Sequence, residues 1–357
     1  MSVLPAAGVI SFARGIPSPE LLPVEPLAEC AGRAANRVSL NYGAPFGYGP
    51  LREWLAERHG VTPERVIVTP GSLIALNFIV ACTRGRAILE APTYDRMLHA
   101  LRDAEVVTVP RGEDGVDLDR LAAVVTRDTR FLYVLPTFHN PTGRTLTGGQ
   151  RRALADFAVA RGLLVYEDDP YRDVRIEGSA EPYLQSLLPP ELCVFTSSFS
   201  KTVAPGLRVG YAVLPPQLVA PVAALATRTY VSPPLFAQAQ LLEFLTAGHL
   251  APHLEFLGRG LGERRDALLA ELEALGDVAT WTRPDGGYFL WLEQPLDAAA
   301  LLERALAAGV AFVPGAAFGG RPGSARLSFS YPSAEEIRTG ARRLVELVLA
   351  DTGKESR

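Results

Sequence analysis

Lysine is scarce in this chain, and one of its two lysines stands where it could do chemistry. Lys201 and Lys354 are the only lysines, against 33 arginines, and Lys354 lies in a polar C-terminal tail. A lysine whose pKa is lowered can form a Schiff base with a carbonyl compound, whereas a guanidinium stays protonated and is a poor nucleophile. The retention of an amine at position 201 therefore predicts a nucleophilic lysine. The alternative is a surface lysine with no chemical role.

Four polar segments could surround this amine, because each follows a short apolar run. They are Pro70-Gly71-Ser72-Leu73, Phe138-His139-Asn140-Pro141-Thr142-Gly143, Glu167-Asp168-Asp169-Pro170-Tyr171, and the stretch from Ser198 to Gly210 that contains Lys201 and Arg208. In open α/β sheets, chemistry gathers at the carboxyl ends of the strands. If each apolar run is a strand, the four segments converge on one site.

The residue types in these segments match the needs of a pyridoxal 5'-phosphate (PLP) site. Such a site needs an amine for the cofactor aldehyde, a carboxylate that keeps the pyridine nitrogen protonated, and hydrogen-bond donors to the ring oxygen. It also needs a helix N-terminus, hydroxyl groups and an arginine for the phosphate, and a second arginine for a substrate carboxylate. The four segments, with Tyr94 and Arg326 elsewhere in the chain, supply all of these groups.

The order and spacing of three motifs resemble those of a known family. Asn140-Pro141-Thr142-Gly143, Asp168-x-Pro170-Tyr171 and Ser198-x-Ser200-Lys201 followed by Arg208 are similar to motifs of the fold-type I, PLP-dependent class I/II aminotransferases. The resemblance spans residues 11–349. It is closest to the 2-aminoadipate and aromatic aminotransferases, whose domain is shared with MocR-type regulators. It implies transfer of an amino group from an L-α-amino acid to a 2-oxo acid, with 2-oxoglutarate expected, through an aldimine at Lys201.

The resemblance also implies roles for residues around the cofactor. Lys201 would hold PLP and then move the proton between the substrate Cα and the cofactor C4′. Asp168 would pair with the pyridine nitrogen, and the adjacent Asp169 is the alternative. Tyr171 and Asn140 would donate to the ring oxygen. Tyr94 would stack on the ring, or else be a plain core residue. The implied phosphate-binding group is Gly71, Ser72, Leu73, Ser198, Ser200 and Arg208, with a backbone N–H serving at Leu73, where relatives often carry a polar residue.

A second group of residues is implied to form the substrate side of the site. Arg326 would bind the substrate α-carboxylate, assisted by Asn140. Tyr42 resembles the tyrosine that reaches the phosphate of the neighbouring subunit, so a homodimer with shared active sites is expected; local packing is the alternative. Arg14 and Gly15 lie in the segment that covers the substrate in this family. Arg14 replaces a glycine of many relatives, and it is interpreted either as a selector of acidic or polar side chains or as a solvated arginine.

Composition narrows the class of protein. The chain has 357 residues, 48% hydrophobic content and a net charge of −4, which gives no sign of a nucleic-acid surface. No apolar run approaches the roughly 18 residues of a membrane span, and the N-terminus lacks the pattern of a signal peptide. Three scattered cysteines fit a reducing compartment. A cytoplasmic protein with small-molecule partners, and with neither nucleic-acid, membrane nor metal binding, is expected.

Alternating apolar runs and helical patterns predict an α/β fold of two domains. The large domain should hold a mainly parallel seven-stranded sheet with helices on both faces. Its predicted strands are 65–69, 86–90, 106–110, 131–135, 163–166, 193–197 and 209–214. After residue 225, longer helices at 236–245 and 254–275 precede short strands at 287–292 and 326–330, which predicts a smaller α+β domain. The predicted boundaries are 36–225 for the large PLP-binding domain, and 1–35 with 226–357 for an N-terminal arm plus the small domain.

Two other functions compete with amino transfer. Other PLP chemistry on the same scaffold, such as β- or γ-elimination, cyclisation or decarboxylation, would use the same residues, so the motifs do not discriminate among these reactions. A MocR-type regulator carries an N-terminal DNA-binding domain. Here the PLP-domain pattern begins almost at residue 1 and no basic patch is evident, so a regulator is not expected.

Overall fold

A computed structural model describes residues 8–113 and 115–352. Its strands are β1 (Ile10–Ser11), β2 (Val66–Thr69), β3 (Arg86–Ala91), β4 (Val106–Gly112), β5 (Gly115–Val116), β6 (Thr129–Val134), β7 (Val165–Asp168), β8 (Cys193–Ser198), β9 (Gly210–Val213), β10 (Thr280–Trp281), β11 (Phe289–Glu293), β12 (Val310–Ala311), β13 (Val313–Pro314) and β14 (Ser324–Ser328). Its α-helices are α1 (Val24–Ala34), α2 (Gly49–His59), α3 (Ser72–Cys82), α4 (Asp95–Ala100), α5 (Leu118–Val124), α6 (Gly148–Arg161), α7 (Pro216–Tyr230), α8 (Leu235–Thr246), α9 (Leu250–Leu272), α10 (Ala298–Ala307) and α11 (Ala334–Thr352).

The centre of the molecule is a large mixed sheet with the strand order β2-β9-β8-β7-β6-β3-β4-β5. Strands β8, β7, β6, β3 and β4 are parallel neighbours. Strand β9 is antiparallel to both of its neighbours, and β5 is antiparallel to β4. The predicted mainly parallel sheet is confirmed, and the two-residue strand β5 extends the seven predicted strands to eight.

Helices cover both faces of this sheet, and the strand residues alternate between the two cores. On β6, Phe131 and Tyr133 pack with helices α3, α4 and α7, while Leu132 and Val134 pack with α5 and α6. Helices α2 and α8 cover the second face near β2 and β9. Because neither face meets water, the strands can be almost wholly apolar. This explains why short apolar runs indicated the strands so directly.

A second, antiparallel sheet has the order β10-β11-β14-β13, and β1 pairs with β12 in a separate two-stranded ribbon. Helices α9, α10 and α11 pack against these strands around a further core. That core also takes in Phe12 of the N-terminal segment, together with Phe138 and Tyr171 from the region of the large sheet. The predicted α+β region is present, while the domain boundaries at 35 and 225 stay a prediction.

Local sequence signals set several element ends. Helix α6 begins with a capping box between Thr147 and Gln150 and ends at Gly162, which has a left-handed φ of 59°. Strand β7 runs two residues beyond the predicted end at 166, because Glu167 and Asp168 continue the pairing with β8. Among the helices in the described part of the chain, none is both long and apolar enough to cross a bilayer.

Candidate active site

One cavity lies at the carboxyl ends of the central strands, where the second sheet meets the first. It is lined by Ser72, Leu73, Tyr94, Leu135, Asn140, Asp168, Pro170, Tyr171, Ser198, Ser200, Lys201 and Arg208. The cavity therefore brings together most of the residues singled out in the sequence. Leu135 and Pro170 are the lining residues that sequence reasoning did not assign to the site.

Lys201 lies in the turn that follows β8, and its amine points at the N-terminal segment. Its Nζ donates a hydrogen bond to the Gly15 carbonyl at 2.6 Å and lies 5.9 Å from the centre of the Tyr171 ring. The Tyr288 hydroxyl donates to the Lys201 carbonyl at 2.7 Å, which fixes the backbone of the turn. Desolvation, with smaller contributions from Arg326 and Arg208, lowers the pKa of Lys201 to about 8. More of the amine is then uncharged near neutral pH than for a solvated lysine, as a nucleophile requires.

Asp168 rather than Asp169 lines the cavity. The Asp168 carboxylate accepts hydrogen bonds from Tyr133 at 2.7 Å and Thr196 at 2.9 Å. Asp169 instead accepts a hydrogen bond from Thr137 at 2.8 Å. Successive side chains of a strand point to opposite faces, so two adjacent acids cannot both face the cavity. Burial raises the pKa of Asp168 to about 6, and the two hydroxyl donors oppose that rise.

A pocket whose groups suit an anion lies between the start of α3 and the Lys201 turn. Gly71 caps α3 with a φ of 86°, and a Cβ there would lie 2.2 Å from Nη2 of Arg208. A Cβ on Gly210 would lie 2.2 Å from the backbone nitrogen of Ser72. The Ser198 hydroxyl donates to the Ser200 hydroxyl at 2.9 Å. Glycine at these positions lets the Arg208 guanidinium approach the N-terminus of α3. A helix N-terminus flanked by hydroxyl groups and an arginine suits a phosphate.

Arg326 comes from β14 of the second sheet; it does not line the cavity itself but contacts Asn140, which does. Its Nη1 donates to Oδ1 of Asn140 and its Nη2 to the Ala13 carbonyl, both at 2.9 Å. Its Nε is buried and has no hydrogen-bond partner within the described residues. The guanidinium carbon lies 4.3 Å from the Phe289 ring centre and 4.7 Å from that of Phe318. Burial lowers the pKa of Arg326 to about 10, so it remains a cation with a donor left for a carboxylate.

Two phenols complete the wall of the cavity. Tyr94 lies directly before α4, and Tyr171 packs edge-on against Tyr288 and Phe289, with ring centres 5.5 and 5.6 Å away. Burial raises the pKa of Tyr94 and holds that of Tyr171 well above its usual value. Both phenols therefore stay protonated and can donate hydrogen bonds across the neutral pH range.

The remaining predicted residues lie beside the cavity or away from it. A Cβ on Gly15 would lie 2.7 Å from the Phe289 ring, so this position also needs a glycine. The Arg14 guanidinium stacks over Tyr331, 4.5 Å from the ring centre, and does not line the cavity. Tyr42 is 82% exposed and does not line it either. Within one chain, the structure brings Gly15 to Lys201 but leaves Arg14 and Tyr42 outside the cavity.

Sequence reasoning missed several buried polar groups that support the site. Tyr133 and Thr196 hold Asp168, and the fully buried Arg151 donates to the Pro136 carbonyl at 3.0 Å and to the Thr137 hydroxyl at 2.9 Å. Tyr133, Thr196 and Arg151 are polar residues within or beside apolar runs, and that pattern in the sequence could have identified them. A buried polar group must find a partner, and the partners lie on other strands.

Comparison with known proteins gives a consistent assignment. The family described as "Aminotransferase class I and II" matches residues 7–344. The chain is 39% identical to the 2-aminoadipate transaminase of Thermus thermophilus, a match that covers 94% of this chain and 89% of that protein. It is 31% identical to aromatic-amino-acid aminotransferase 1 of Thermococcus litoralis, covering 99% and 91%.

A solved structure of similar shape is that of LysN, the α-aminoadipate aminotransferase of Thermus thermophilus, in complex with N-(5'-phosphopyridoxyl)-L-leucine. The TM-score is 0.90 at 36% identity, and the match covers 97% of this chain and 94% of that one. Lys201, Asp168, the glycine-lined anion pocket and the free Nε of Arg326 are the groups that such a cofactor and an amino acid need. By sequence, fold and the chemistry of its cavity, the chain belongs to the class I and II aminotransferases, enzymes that use pyridoxal 5'-phosphate.

Proposed function

We propose that this enzyme moves the amino group of an L-α-amino acid to a 2-oxo acid, with 2-oxoglutarate as the acceptor, and that Lys201 carries the cofactor. The observation that carries this proposal is that one amine in the cavity has two arginines near it, Arg208 in the cavity lining and Arg326 behind Asn140. Arg208 and Arg326 both lie close enough to Lys201 to lower its pKa. One guanidinium beside the helix N-terminus suits the cofactor phosphate, and the other suits the substrate α-carboxylate.

When bound, PLP supplies an electron-withdrawing ring that accepts the electron pair left at the substrate Cα when its proton is removed. The protein's own residues position the reacting atoms. Arg326 binds the α-carboxylate, and its bond to Oδ1 of Asn140 leaves the Asn140 amide NH2 free to donate to the ring oxygen. Ionised Asp168 holds the proton on the ring nitrogen. Lys201, with its pKa lowered to about 8, takes the Cα proton and returns it at the other end of the transfer.

The other proposed contacts hold the cofactor in place. Tyr171 donates to the ring oxygen, and Tyr94 stacks on the ring face. The phosphate is bound by the backbone at the start of α3, the hydroxyl groups of the Lys201 segment and one guanidinium: Gly71, Ser72, Leu73, Ser198, Ser200 and Arg208. Because these residues lie on several strands and helices, they would hold the cofactor in one orientation. A fixed orientation favours reaction at one substrate bond.

We infer that the working unit is a homodimer with shared active sites. Tyr42 is 82% exposed, and Val38 and Leu40 beside it are 64% and 69% exposed. An exposed stretch of large apolar side chains is typical of a surface that binds another protein. Tyr42 then completes the phosphate site of the second subunit, which accounts for its distance from its own cavity.

Arg14 and Gly15 are proposed to lie over the bound substrate. The Gly15 carbonyl already contacts Lys201, and Arg14 is its neighbour in this segment. Its guanidinium rests on Tyr331, a position from which it can turn to a substrate side chain. We propose that it selects an acidic or polar side chain; a relative named 2-aminoadipate transaminase is consistent with an acidic donor.

Half-reactions with a panel of amino acids test the proposed reaction. The PLP-loaded enzyme should convert stably to its pyridoxamine form with at least one acidic amino acid, and 2-oxoglutarate should reverse the change. Absorbance follows the cofactor and an ammonia assay follows elimination. Release of ammonia with return to the starting spectrum would show elimination instead of amino transfer.

Borohydride reduction tests Lys201. Reduction of the PLP-loaded protein should fix the cofactor to a single peptide, the one containing Lys201, because Lys354 is the only other lysine. Mass spectrometry of the digested protein identifies the peptide. A Lys201→Arg variant keeps the charge and serves as the control; it should take no label and should lose activity by at least about 10²-fold. Label on Lys354 would contradict the assignment.

Subunit mixing tests the role of Tyr42. Tyr42→Ala and Lys201→Ala should each be inactive at limiting PLP. An equimolar remixed population should recover about a quarter of native activity, because about half of its dimers are hybrids and one of the two sites in each hybrid is complete. Each variant remixed with itself gives the baseline. If Tyr42 acts only within its own subunit, the hybrids will be as inactive as their parents.

An Arg14→Ala variant tests the proposed selectivity. The ratio of kcat/KM for an acidic donor to that for an apolar donor should fall about tenfold or more, because a charge-assisted hydrogen bond is lost. Arg14→Lys is the matched control and should keep part of the preference. An unchanged ratio in Arg14→Ala would show that Arg14 is only a solvated side chain.

A further inference from the structure

The carboxylate of Asp168 is held by two hydroxyl groups from the strands on either side of it. Tyr133 on β6 donates to Oδ2 at 2.7 Å, and Thr196 on β8 donates to Oδ1 at 2.9 Å. The register explains both contacts. Thr196 is paired directly with Asp168, and Tyr133 is paired with Tyr166, which lies two residues before Asp168 and on the same face. The sheet thus directs one donor to each carboxylate oxygen.

This arrangement differs from that of other buried acids near the site. Glu90 forms a buried ion pair with Arg111, and burial raises the pKa of Asp169 while the charges of Arg151 and Arg172 oppose that rise. Within the described part of the chain, the side chains that hydrogen-bond to Asp168 are the two hydroxyls, and no guanidinium is paired with it. An arginine would neutralise the carboxylate, whereas a hydroxyl stabilises the charge and leaves it in place.

We propose that Tyr133 and Thr196 are positioning residues that keep Asp168 ionised and aim its uncancelled charge at the ring nitrogen of PLP. The inference rests on the proposed role of Asp168. It assigns a function to two residues outside the cavity lining, each of which acts through Asp168 and not on the cofactor itself.

The surroundings of the Tyr133 phenol keep it protonated, so that it remains a hydrogen-bond donor to Asp168. It is fully buried, and its ring packs edge-on against Tyr166 with ring centres 5.3 Å apart. Tyr166 in turn packs edge-on against Phe131 at 5.7 Å, so a row of aromatic rings holds the phenol in one orientation. Burial, reinforced by the Asp168 charge, holds the pKa of Tyr133 well above its usual value. The hydroxyl therefore keeps its proton while Asp168 titrates.

The pH dependence follows from the sign of this stabilisation. Above its pKa, Asp168 is ionised and can hold a protonated ring nitrogen; as the pH falls through that pKa, the attraction is lost. Removing one hydroxyl donor raises the pKa of Asp168. Affinity for the cofactor ring should then begin to fall at a higher pH than in the native protein.

Binding of 4′-deoxypyridoxine 5′-phosphate, followed by fluorescence between pH 5 and 8, tests the proposal without any catalysis. This analogue lacks the aldehyde, so it cannot bond to Lys201. In Tyr133→Phe, the acid limb of the affinity profile should move up by about one to two pH units, the shift expected for one hydrogen bond to a charged group. Thr196→Val should move it the same way, and Thr196→Ser should restore it. The ionisable groups of the analogue titrate in the same way with every variant, so they do not contribute to the difference between two affinity profiles.

Tyr166→Phe is the matched control, because it removes a buried phenol hydroxyl on β7, the strand of Asp168 itself, that makes no hydrogen bond to Asp168. Its profile should coincide with that of the native protein. The shift should also vanish when Tyr133→Phe is combined with Asp168→Asn, which has no proton to lose. A Tyr133→Phe profile equal to that of Tyr166→Phe, or a shift that persists in Asp168→Asn, overturns the proposal.

The same variants separate this inference from the proposed reaction. A profile shift in a protein that catalyses no amino transfer supports the positioning role and rejects the reaction. Normal amino transfer with no shift of the profile supports the reaction and rejects the positioning role. Circular dichroism of each variant confirms that the comparison is made between folded proteins.

Discussion

Desolvation of charge at the carboxyl ends of β6, β7 and β8 is the constraint on which the rest of the site depends. Desolvation raises the pKa of Asp168 to about 6 and lowers the pKa of Lys201 to about 8. Both pKa values therefore lie closer to neutral pH than those of the solvated side chains. A base whose pKa lies near the working pH exchanges protons readily, which suits the role proposed for Lys201. The second sheet and the N-terminal segment close this region, through Arg326 and the carbonyls of Ala13 and Gly15.

Three consecutive buried acids, Glu167, Asp168 and Asp169, have different hydrogen-bond partners. Glu167 accepts hydrogen bonds from the backbone nitrogens of Leu184 and Gln185, and burial raises its pKa although these bonds oppose the rise. Asp169 binds Thr137 near the fully buried Arg151, which ties the loop before Asn140 to helix α6. Asp168, on the opposite face, is left to the cavity. The alternation of a β-strand thus makes two acids structural and one available to the cofactor.

Much of the fold could be predicted from local pattern. Strands β2, β3, β8 and β9 begin and end within about one residue of their predicted limits, since residues buried on both faces of a sheet form unbroken apolar runs. Helices α2 and α7 were not predicted. Helix α7 contains Pro221 in its interior, which lowers its intrinsic helix propensity, and its apolar side chains Leu218, Val222 and Ala226 form one face only when the helix packs on the sheet.

The sequence by itself determined the family, the cofactor and the set of chemical groups, because Lys201, Arg208, Asp168 and the Asn140 motif keep a characteristic order and spacing. Only the tertiary structure placed Asp168 and not Asp169 at the cavity, paired Arg326 with Asn140, and brought Tyr133 and Thr196 to the Asp168 carboxylate. These contacts join residues 28 to 186 positions apart. They depend on strand register and on the packing of one sheet against another, which no local run of residues encodes.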